Sequence, residues 1–261
     1  MRIGIVGLGT VGMAIKNGMG DTHEILVHDI SLDTRITEVA ENSDLVFICV
    51  PTPTIKGSEI CDTSIVESVL GQLPERTRVV IKSTVIPGTT QRLHDSYPEL
   101  KIGCSPEFLR SATSVDDFKE QDILVIGTHH EDLAEIVIQS HVESEIVSRD
   151  DCYVVTPTQA ELVKYAKNSF YSIKVIFANQ FYDYCEDLGA DWSEVKEIIT
   201  KPQNQPIGDS HLEAIHGERR GFGGDCIPKD VRALHADLKN RGIDYLLFDS
   251  VLADNERIRR G

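Results

Sequence analysis

Cysteine, lysine and aspartate stand in close order in Gly221-Phe222-Gly223-Gly224-Asp225-Cys226-Ile227-Pro228-Lys229-Asp230. The glycines leave the backbone free to bend, and Pro228, with its fixed φ and missing N–H, favours a helix starting here with the proline at its first position. Cys226 then sits at a helix N-terminus. Unpaired N–H groups and the positive dipole end, with Lys229 nearby, favour the nucleophilic thiolate there; Asp225 opposes this. Lys164 and Asn168 differ by one helical turn and project from one face of any helix that carries both. An ammonium and an amide so paired suit a developing oxyanion. Glu107, in Ser105-Pro106-Glu107-Phe108-Leu109-Arg110, becomes a usable base if Phe108 and Leu109 partly desolvate it. A thiol, oxyanion donors and carboxylates are the parts of covalent catalysis at a carbonyl carbon.

The elements that must hold these groups begin at the N-terminus. Arg2 to Val6 is a short apolar run that enters Gly7-Leu8-Gly9-Thr10-Val11-Gly12, followed by residues suited to a helix. Such glycines permit a tight turn and close approach of a pyrophosphate, which then lies on the helix N-terminus. The second strand, Glu24 to His28, ends at Asp29. A carboxylate at that point accepts from the adenosine ribose hydroxyls and repels a 2′-phosphate, which selects NAD over NADP. After a polar link, Ser31 to Ser43, comes the buried strand Leu45 to Val50, leading into Pro51-Thr52-Pro53. Helical spacing over Ser64 to Leu73 and the strand Val79 to Lys82 follow, the latter ending in Ser83-Thr84-Val85-Ile86-Pro87-Gly88-Thr89. Polar residues at the carboxyl ends of parallel strands face the ligand crevice, which suits Ser83 and Thr84 to the cofactor set; Val50, Pro51 and Thr52, at the end of the preceding strand, are expected to join it.

Lys101 to Cys104 and Ile123 to Ile126 read as further strands, and Thr128 with Glu131 as a capping box. Strands alternating with helices over residues 1–150 predict an α/β domain, a doubly wound, Rossmann-like parallel sheet. Thr156, Pro157 and Gln159 start a helix that reaches about Leu188, with Lys164 and Asn168 on it. Helices over Trp192 to Ile199, Val231 to Lys239 and Leu246 to Arg260, around an irregular stretch Lys201 to Arg220, make residues 151–261 an all-helical second domain.

The decapeptide around Cys226 resembles the nucleophile loop of the UDP-glucose/GDP-mannose dehydrogenase family. Ser83-Thr84-Val85-Ile86-Pro87-Gly88-Thr89, Ser105 to Arg110, and Ala160-Glu161-Leu162 with Lys164 and Asn168 are similar to three more of its motifs. The resemblance implies oxidation of a sugar-nucleotide alcohol to a carboxylate with two NAD, UDP-glucose foremost, through a thiohemiacetal and thioester on Cys226. It implies oxyanion roles for Lys164 and Asn168, water-positioning roles for Glu107 and Asp230, and a water or nicotinamide-ribose contact for Thr84. Glu107 and Lys229 join the cofactor set, and Phe108, Leu109, Arg110, Phe222 and Gly223 join Lys164, Asn168 and Cys226 in the substrate set. Two departures stand out. Ser111 occupies a position where the family has a second glutamate, and the segment after the second strand is shorter, as if a helix and one strand of the first half were lost. His211 and His216 lie near places where the family carries an arginine and a tyrosine for the sugar nucleotide.

Composition excludes some partners. A formal charge of −16 over 261 residues argues against nucleic acid and anionic membranes, which need a basic face. No apolar run nears the length of a bilayer span, and the reading is a cytoplasmic protein. Six irregularly spaced cysteines suggest reduced thiols, with no metal-ligand spacing. The final helix carries Leu246, Leu247, Val251, Leu252 and Ile258, apolar surface that predicts a homodimer on the helical domain. The resemblance also implies a further nucleotide-binding lobe, and a separate polypeptide that supplies it is one expected partner. Two rival readings are a two-electron β-hydroxyacid-type dehydrogenase, which needs no cysteine, and a non-catalytic NAD-binding remnant.

Overall fold

The computed structural model describes residues 1–201, 211, 213–216, 219–240 and 246–260, and of residues 180, 183, 184, 187 and 216 the backbone alone. It divides into two compact units, Met1–Lys164 and Tyr165–Gly261. Most of the irregular stretch expected over Lys201 to Arg220 lies outside the described residues.

The first unit is built on strands β1 (Arg2–Val6), β2 (Glu24–His28), β3 (Leu45–Ile48), β4 (Arg78–Ile81), β5 (Lys101–Cys104), β6 (Leu124–Thr128) and β7 (Cys152–Val155). Their order in the sheet is β2-β1-β3-β4-β5-β6-β7. The first five strands of that order pair in parallel, β5 and β6 are antiparallel, and β6 and β7 are parallel again. The sheet is thus mostly rather than wholly parallel. β7 joins its edge with Tyr153 and Val154 each 51% exposed, so the strand lacks the apolar run by which its inner neighbours are read.

Side chains alternate between two cores, as a strand's period of two requires. Ile3, Ile5, Leu45, Phe47, Val80 and Ile126 face one side, against α1 (Thr10–Met19), α5 (Ser114–Lys119) and α6 (Glu131–Glu143). Val6, Val46, Ile48, Val79, Ile81 and Ile102 face the other, against α2 (Ile36–Glu41), α3 (Ser64–Leu70) and α4 (Thr89–Ser96). The link read as polar therefore holds a helix: Ile36, Val39 and Ala40 are its buried stripe, too short a pattern to stand out among charged neighbours. No described strand lies outboard of β2, in keeping with the shortened first half.

Thr128 does not cap α6, whose N-cap is His130. β6 runs through Thr128, and its hydroxyl donates to Ile102 O at 3.1 Å and accepts from His130 N at 3.2 Å, so the side chain ties the end of β6 to β5. The expected box at Thr156 does form: Gln159 Oε1 accepts from Thr156 N at 3.0 Å, and Gln159 N donates to Thr156 Oγ1 at 3.4 Å. It opens α7 (Pro157–Leu188), whose first two turns belong to the first unit.

The second unit holds the rest of α7, α8 (Trp192–Thr200), the two-residue strands β8 (Ile215–His216) and β9 (Arg219–Arg220), α9 (Cys226–Asn240) and α10 (Leu246–Arg260). Asp191 caps α8, its side chain accepting from Ser193 N at 2.7 Å. α9 starts five residues before Val231, so Pro228 is third rather than first in the helix; its missing N–H still falls among groups with no intrahelical partner. Val251 is buried with Val175, Ile176 and Phe222, and Leu252 and Ile258 pack beside them. Of the five apolar residues singled out in the final helix, Leu246 and Leu247 are exposed, at 77% and 50%.

Candidate active site

The sequence-predicted residues fall into two groups, one in each unit. In the first unit they gather at the carboxyl ends of β1 to β5, where a doubly wound sheet binds its ligand. Gly7 takes φ +97°, and a Cβ there would meet Cys49 O at 2.7 Å. A Cβ on Gly12 would lie 2.0 Å from Gly7 O, whereas one on Gly9 would meet nothing within 4 Å. The turn is therefore closed on its inner side and open above Gly9. No side chain caps α1 and none of its first-turn residues is acidic, which leaves the N–H groups at Thr10 and Val11 to an anion. Asp29 stays beside this turn: its Oδ2 accepts from Leu8 N at 2.9 Å and its Oδ1 from Ser31 N at 3.0 Å. Those donors, Leu8 first, hold its carboxyl below the usual range. An open glycine turn, an uncapped helix start and an ionised carboxylate at the end of β2 fit the pyrophosphate and ribose of a dinucleotide.

The neighbouring loops are stitched together. Ser83 Oγ donates to Val50 O at 2.6 Å, and Thr52 Oγ1 donates to Thr84 O at 2.7 Å, so two expected contact residues spend their protons on each other's loops. Val50, Pro51 and Thr84 complete the rim.

Glu107 is buried and forms an ion pair with Lys82, also buried. Lys82 Nζ donates further to Ser105 Oγ at 3.0 Å. The carboxylate thus meets a cation, whereas the expectation rested on the apolar Phe108 and Leu109. Lys164 Nζ donates to Glu107 O at 2.7 Å and stands 5.8 Å from the Phe108 ring centroid. One turn earlier on α7, Glu161 Oε2 accepts from Gly88 N at 2.6 Å and its Oε1 from Thr90 N at 2.8 Å. Burial pushes the Glu161 carboxyl up, against those hydrogen bonds. Glu161 and Lys164 therefore dock the start of α7 onto the loops after β4 and β5. Arg110 turns away to Asp117, with Nη2–Oδ1 at 2.6 Å and Nε–Oδ2 at 3.1 Å, and Arg110 holds the Asp117 carboxyl down to about 2.

In the second unit Cys226 is the first residue of α9. It is the exposed thiol of the six: Cys49, Cys61, Cys104 and Cys185 are buried and Cys152 half-buried. Burial pushes Cys104 up to about 12, which makes it inert. One turn into α9, Asp230 is 1% exposed. It accepts from Asn168 Nδ2 at 2.5 Å, and Lys229 Nζ lies 3.1 Å from its other oxygen. The structure thus brings Asn168, Lys229 and Asp230 together beside the helix start that carries Cys226. Lys229, expected to favour the thiolate and touch the cofactor, has its charge matched locally by Asp230.

Residues 23–143 match the model of the UDP-glucose/GDP-mannose dehydrogenase family's NAD binding domain, and residues 158–257 match its central domain. The chain belongs to this family. UDP-glucose 6-dehydrogenase of Rickettsia bellii is 33% identical over 232 residues, 84% of this chain and 50% of that protein. GDP-mannose 6-dehydrogenase of Pseudomonas aeruginosa is 28% identical over 245 residues, 87% of this chain and 54% of that protein. A UDP-glucose dehydrogenase structure from Pyrobaculum islandicum superposes with a TM-score of 0.84 at 26% identity, covering 98% of this chain and 68% of that one. The chain spans about half the length of the curated relatives it matches.

Against this dehydrogenase family, the NAD expected from Asp29 accords with the matched domain. Sequence reading passed over four residues of the site: Lys82, Glu161, Asn255 and Arg259. Lys82 ends a strand legible in the sequence and Glu161 lies in the Ala160-Glu161-Leu162 motif, and both could have been found as charges beside apolar residues. Asn255 and Arg259, described below, left no local signal. No helix among the described residues is long and apolar enough to cross a membrane, and no group of three or more His, Cys, Asp or Glu among them could hold a metal.

Proposed function

We propose that the protein oxidises the C6 hydroxyl of a nucleotide sugar, UDP-glucose foremost, to the carboxylate in two steps with Cys226 as covalent nucleophile. The observation that carries this is an exposed thiol at the first residue of a helix whose first turn buries an aspartate against an amide and a lysine. NAD, when bound, takes up two electrons in each oxidation. Gly7, Gly9, Thr10, Val11 and Gly12 would receive its pyrophosphate and Asp29 its adenosine ribose, with Thr84 near the nicotinamide end.

The alcohol first loses two electrons and two protons to give an aldehyde. Cys226 sulfur then adds to the aldehyde carbon, forming a C–S bond while the thiol proton leaves and the oxygen gains one, giving a thiohemiacetal. Lys164 and Asn168 stabilise the oxyanion in that addition. Removal of two more electrons and two protons leaves a thioester. Water positioned by Glu107 or Asp230 attacks its carbon, the C–S bond breaks, and acid and free thiol are released. Lys82 pairs with Glu107 and holds it in place. Phe108, Leu109, Arg110, Phe222 and Gly223 would line the sugar side. A homodimer built on the helical unit is part of this reading, with Leu246 and Leu247 of the final helix among that unit's exposed apolar residues; light scattering that gives a monomer at micromolar concentration refutes that part.

The test is the stoichiometry of NADH release with a panel of nucleotide sugars, with any partner chain present. Two NADH per sugar, with the uronic acid as product, are expected. One per sugar would make the protein a two-electron dehydrogenase, and none would leave it a binding protein.

A further inference from the structure

Phe222 is buried at 3% exposure although it sits in a glycine-rich loop, and its backbone is held from both sides by one side chain. Phe222 N donates to Asn255 Oδ1 at 2.8 Å, and Asn255 Nδ2 donates to Phe222 O at 3.1 Å. One turn further along α10, Arg259 Nη1 donates to the same carbonyl at 3.4 Å. Asn255 is itself 5% exposed, a buried amide satisfied by this backbone pair. The glycines on either side make room for the arrangement. A Cβ on Gly221, where φ is +73°, would meet Asn255 Oδ1 at 2.6 Å, and one on Gly223 would meet Arg259 Nη1 at 2.3 Å. Gly224 also has φ +73° but faces open space, so its role is the turn into α9.

Cys226 thus stands midway between two anchors, Phe222 on one side and Asp230, bound to Asn168 and Lys229, on the other. Between Phe222 and the thiol the chain has two glycines and Asp225, none of which holds the loop by a side chain packed in a core. We propose that Asn255 and Arg259 are positioning residues for Cys226: they fix the glycine loop so that α9 begins at the cysteine and its first-turn N–H groups face the sulfur. This rests on the reading of Cys226 as nucleophile only for its bearing on turnover; the geometry stands apart from it. When the clamp is lost, the loop can draw the first turn of α9 open, and the thiol leaves the donors that a helix start provides.

The experiment measures the alkylation rate of each cysteine in the full chain by iodoacetamide and peptide mass spectrometry, without substrate. Arg259→Met is read first, because Arg259 is exposed and its loss spares the core, and Asn255→Ala second. We expect alkylation of Cys226 to slow by about 5-fold or more in Asn255→Ala and by about 2-fold in Arg259→Met, with half-buried Cys152 unchanged and Cys104 protected. Arg259→Lys, which keeps a donor, should restore most of the rate. A Cys226 rate equal to or faster than the parent's in either variant, with Cys104 still protected, overturns the proposal. If Asn255→Ala exposes Cys104 and so has not folded, Arg259→Met and Arg259→Lys decide alone. Since no substrate is used, an inactive protein that shows the slowing keeps the clamp and sinks the dehydrogenase reading, and an active one without it does the reverse.

Discussion

Two glycine turns each open onto a helix start in this protein, and they are held in different ways. The turn before α1 is shaped by backbone against backbone: Gly7 against Cys49 O, Gly12 against Gly7 O. It brings no reactive side chain and offers N–H groups. The turn before α9 is shaped by side chains from another helix, Asn255 and Arg259, and delivers a thiol. Binding an anion needs only the peptide groups in place, which glycine sterics secure locally. On the proposed reading the second turn holds a nucleophile, whose sulfur must stay on an attack line where about 1 Å of misplacement can cost 10²-fold, a demand that contacts from afar would meet.

The sharpest way to break the contrast is to remove what each turn presents. Cys226→Ala should lower acid formation by at least about 10³-fold, the scale for loss of a covalent nucleophile, while any surviving first oxidation leaves aldehyde. Product analysis checks this, and uronic acid formed at the parent rate would show that the second turn is no more than a second binding loop. Lys164→Ala should reduce kcat by roughly 10²-fold if it stabilises an oxyanion; a change confined to KM would move it to substrate binding.

At the first turn, two glycine substitutions separate shape from access. In Gly12→Ala the new methyl would stand 2.0 Å from a backbone oxygen, which no side-chain shift can relieve. It should cost on the order of 1–3 kcal/mol or more in urea unfolding and weaken NAD with it. In Gly9→Ala the methyl meets nothing within 4 Å, so stability should hold within about 0.5 kcal/mol. NAD affinity by calorimetry should still fall roughly tenfold, because the methyl enters space meant for the pyrophosphate. Equal NAD affinity in Gly9→Ala and parent would place the phosphates elsewhere.

The same contrast explains what could be read from the chain. Gly7, Gly9, Gly12 and Asp29 lie in one βα unit with its second strand, so spacing alone revealed the turn. Lys164 and Asn168 share a helix whose N-terminal box, Thr156 with Gln159, is also local. The partners that hold the site are remote: Lys82 for Glu107, Glu161 for Gly88 and Thr90, Asn255 for Phe222. Each is a pairing across the fold, and no periodicity within one element encodes it. The short helix α2 and the edge strand β7 escaped for another reason, since three buried residues in one and two half-exposed ones in the other carry too little pattern. Thr128 carried a capping signal in full, but strand pairing took its hydroxyl first.

The smallest effect tests whether the first turn is as self-contained as its glycines suggest. One side chain from outside does reach it: Asp29 accepts from Leu8 N at 2.9 Å, much as Asn255 accepts from Phe222 N at 2.8 Å. The Leu8 bond leads the donors that lower the Asp29 carboxyl. A carboxyl whose folded value lies below its unfolded one contributes stability above the unfolded value, and loses it as pH falls through the folded one. The contribution from Asp29 is therefore complete at neutral pH and declines below about pH 4, the ordinary carboxylate range. Because Asp29 is only half-buried, solvent screens the gain and the change should be slight. Asp29→Asn should flatten that part of the acid limb of a urea-unfolding series. Its larger sign should be in recognition: the parent should prefer NAD over NADP by about tenfold or more, about 1.4 kcal/mol, and Asp29→Asn should lose most of that ratio. If the ratio survives while the acid limb flattens, Asp29 is a brace for the turn, as Asn255 is for the other, and the ribose is read by different atoms.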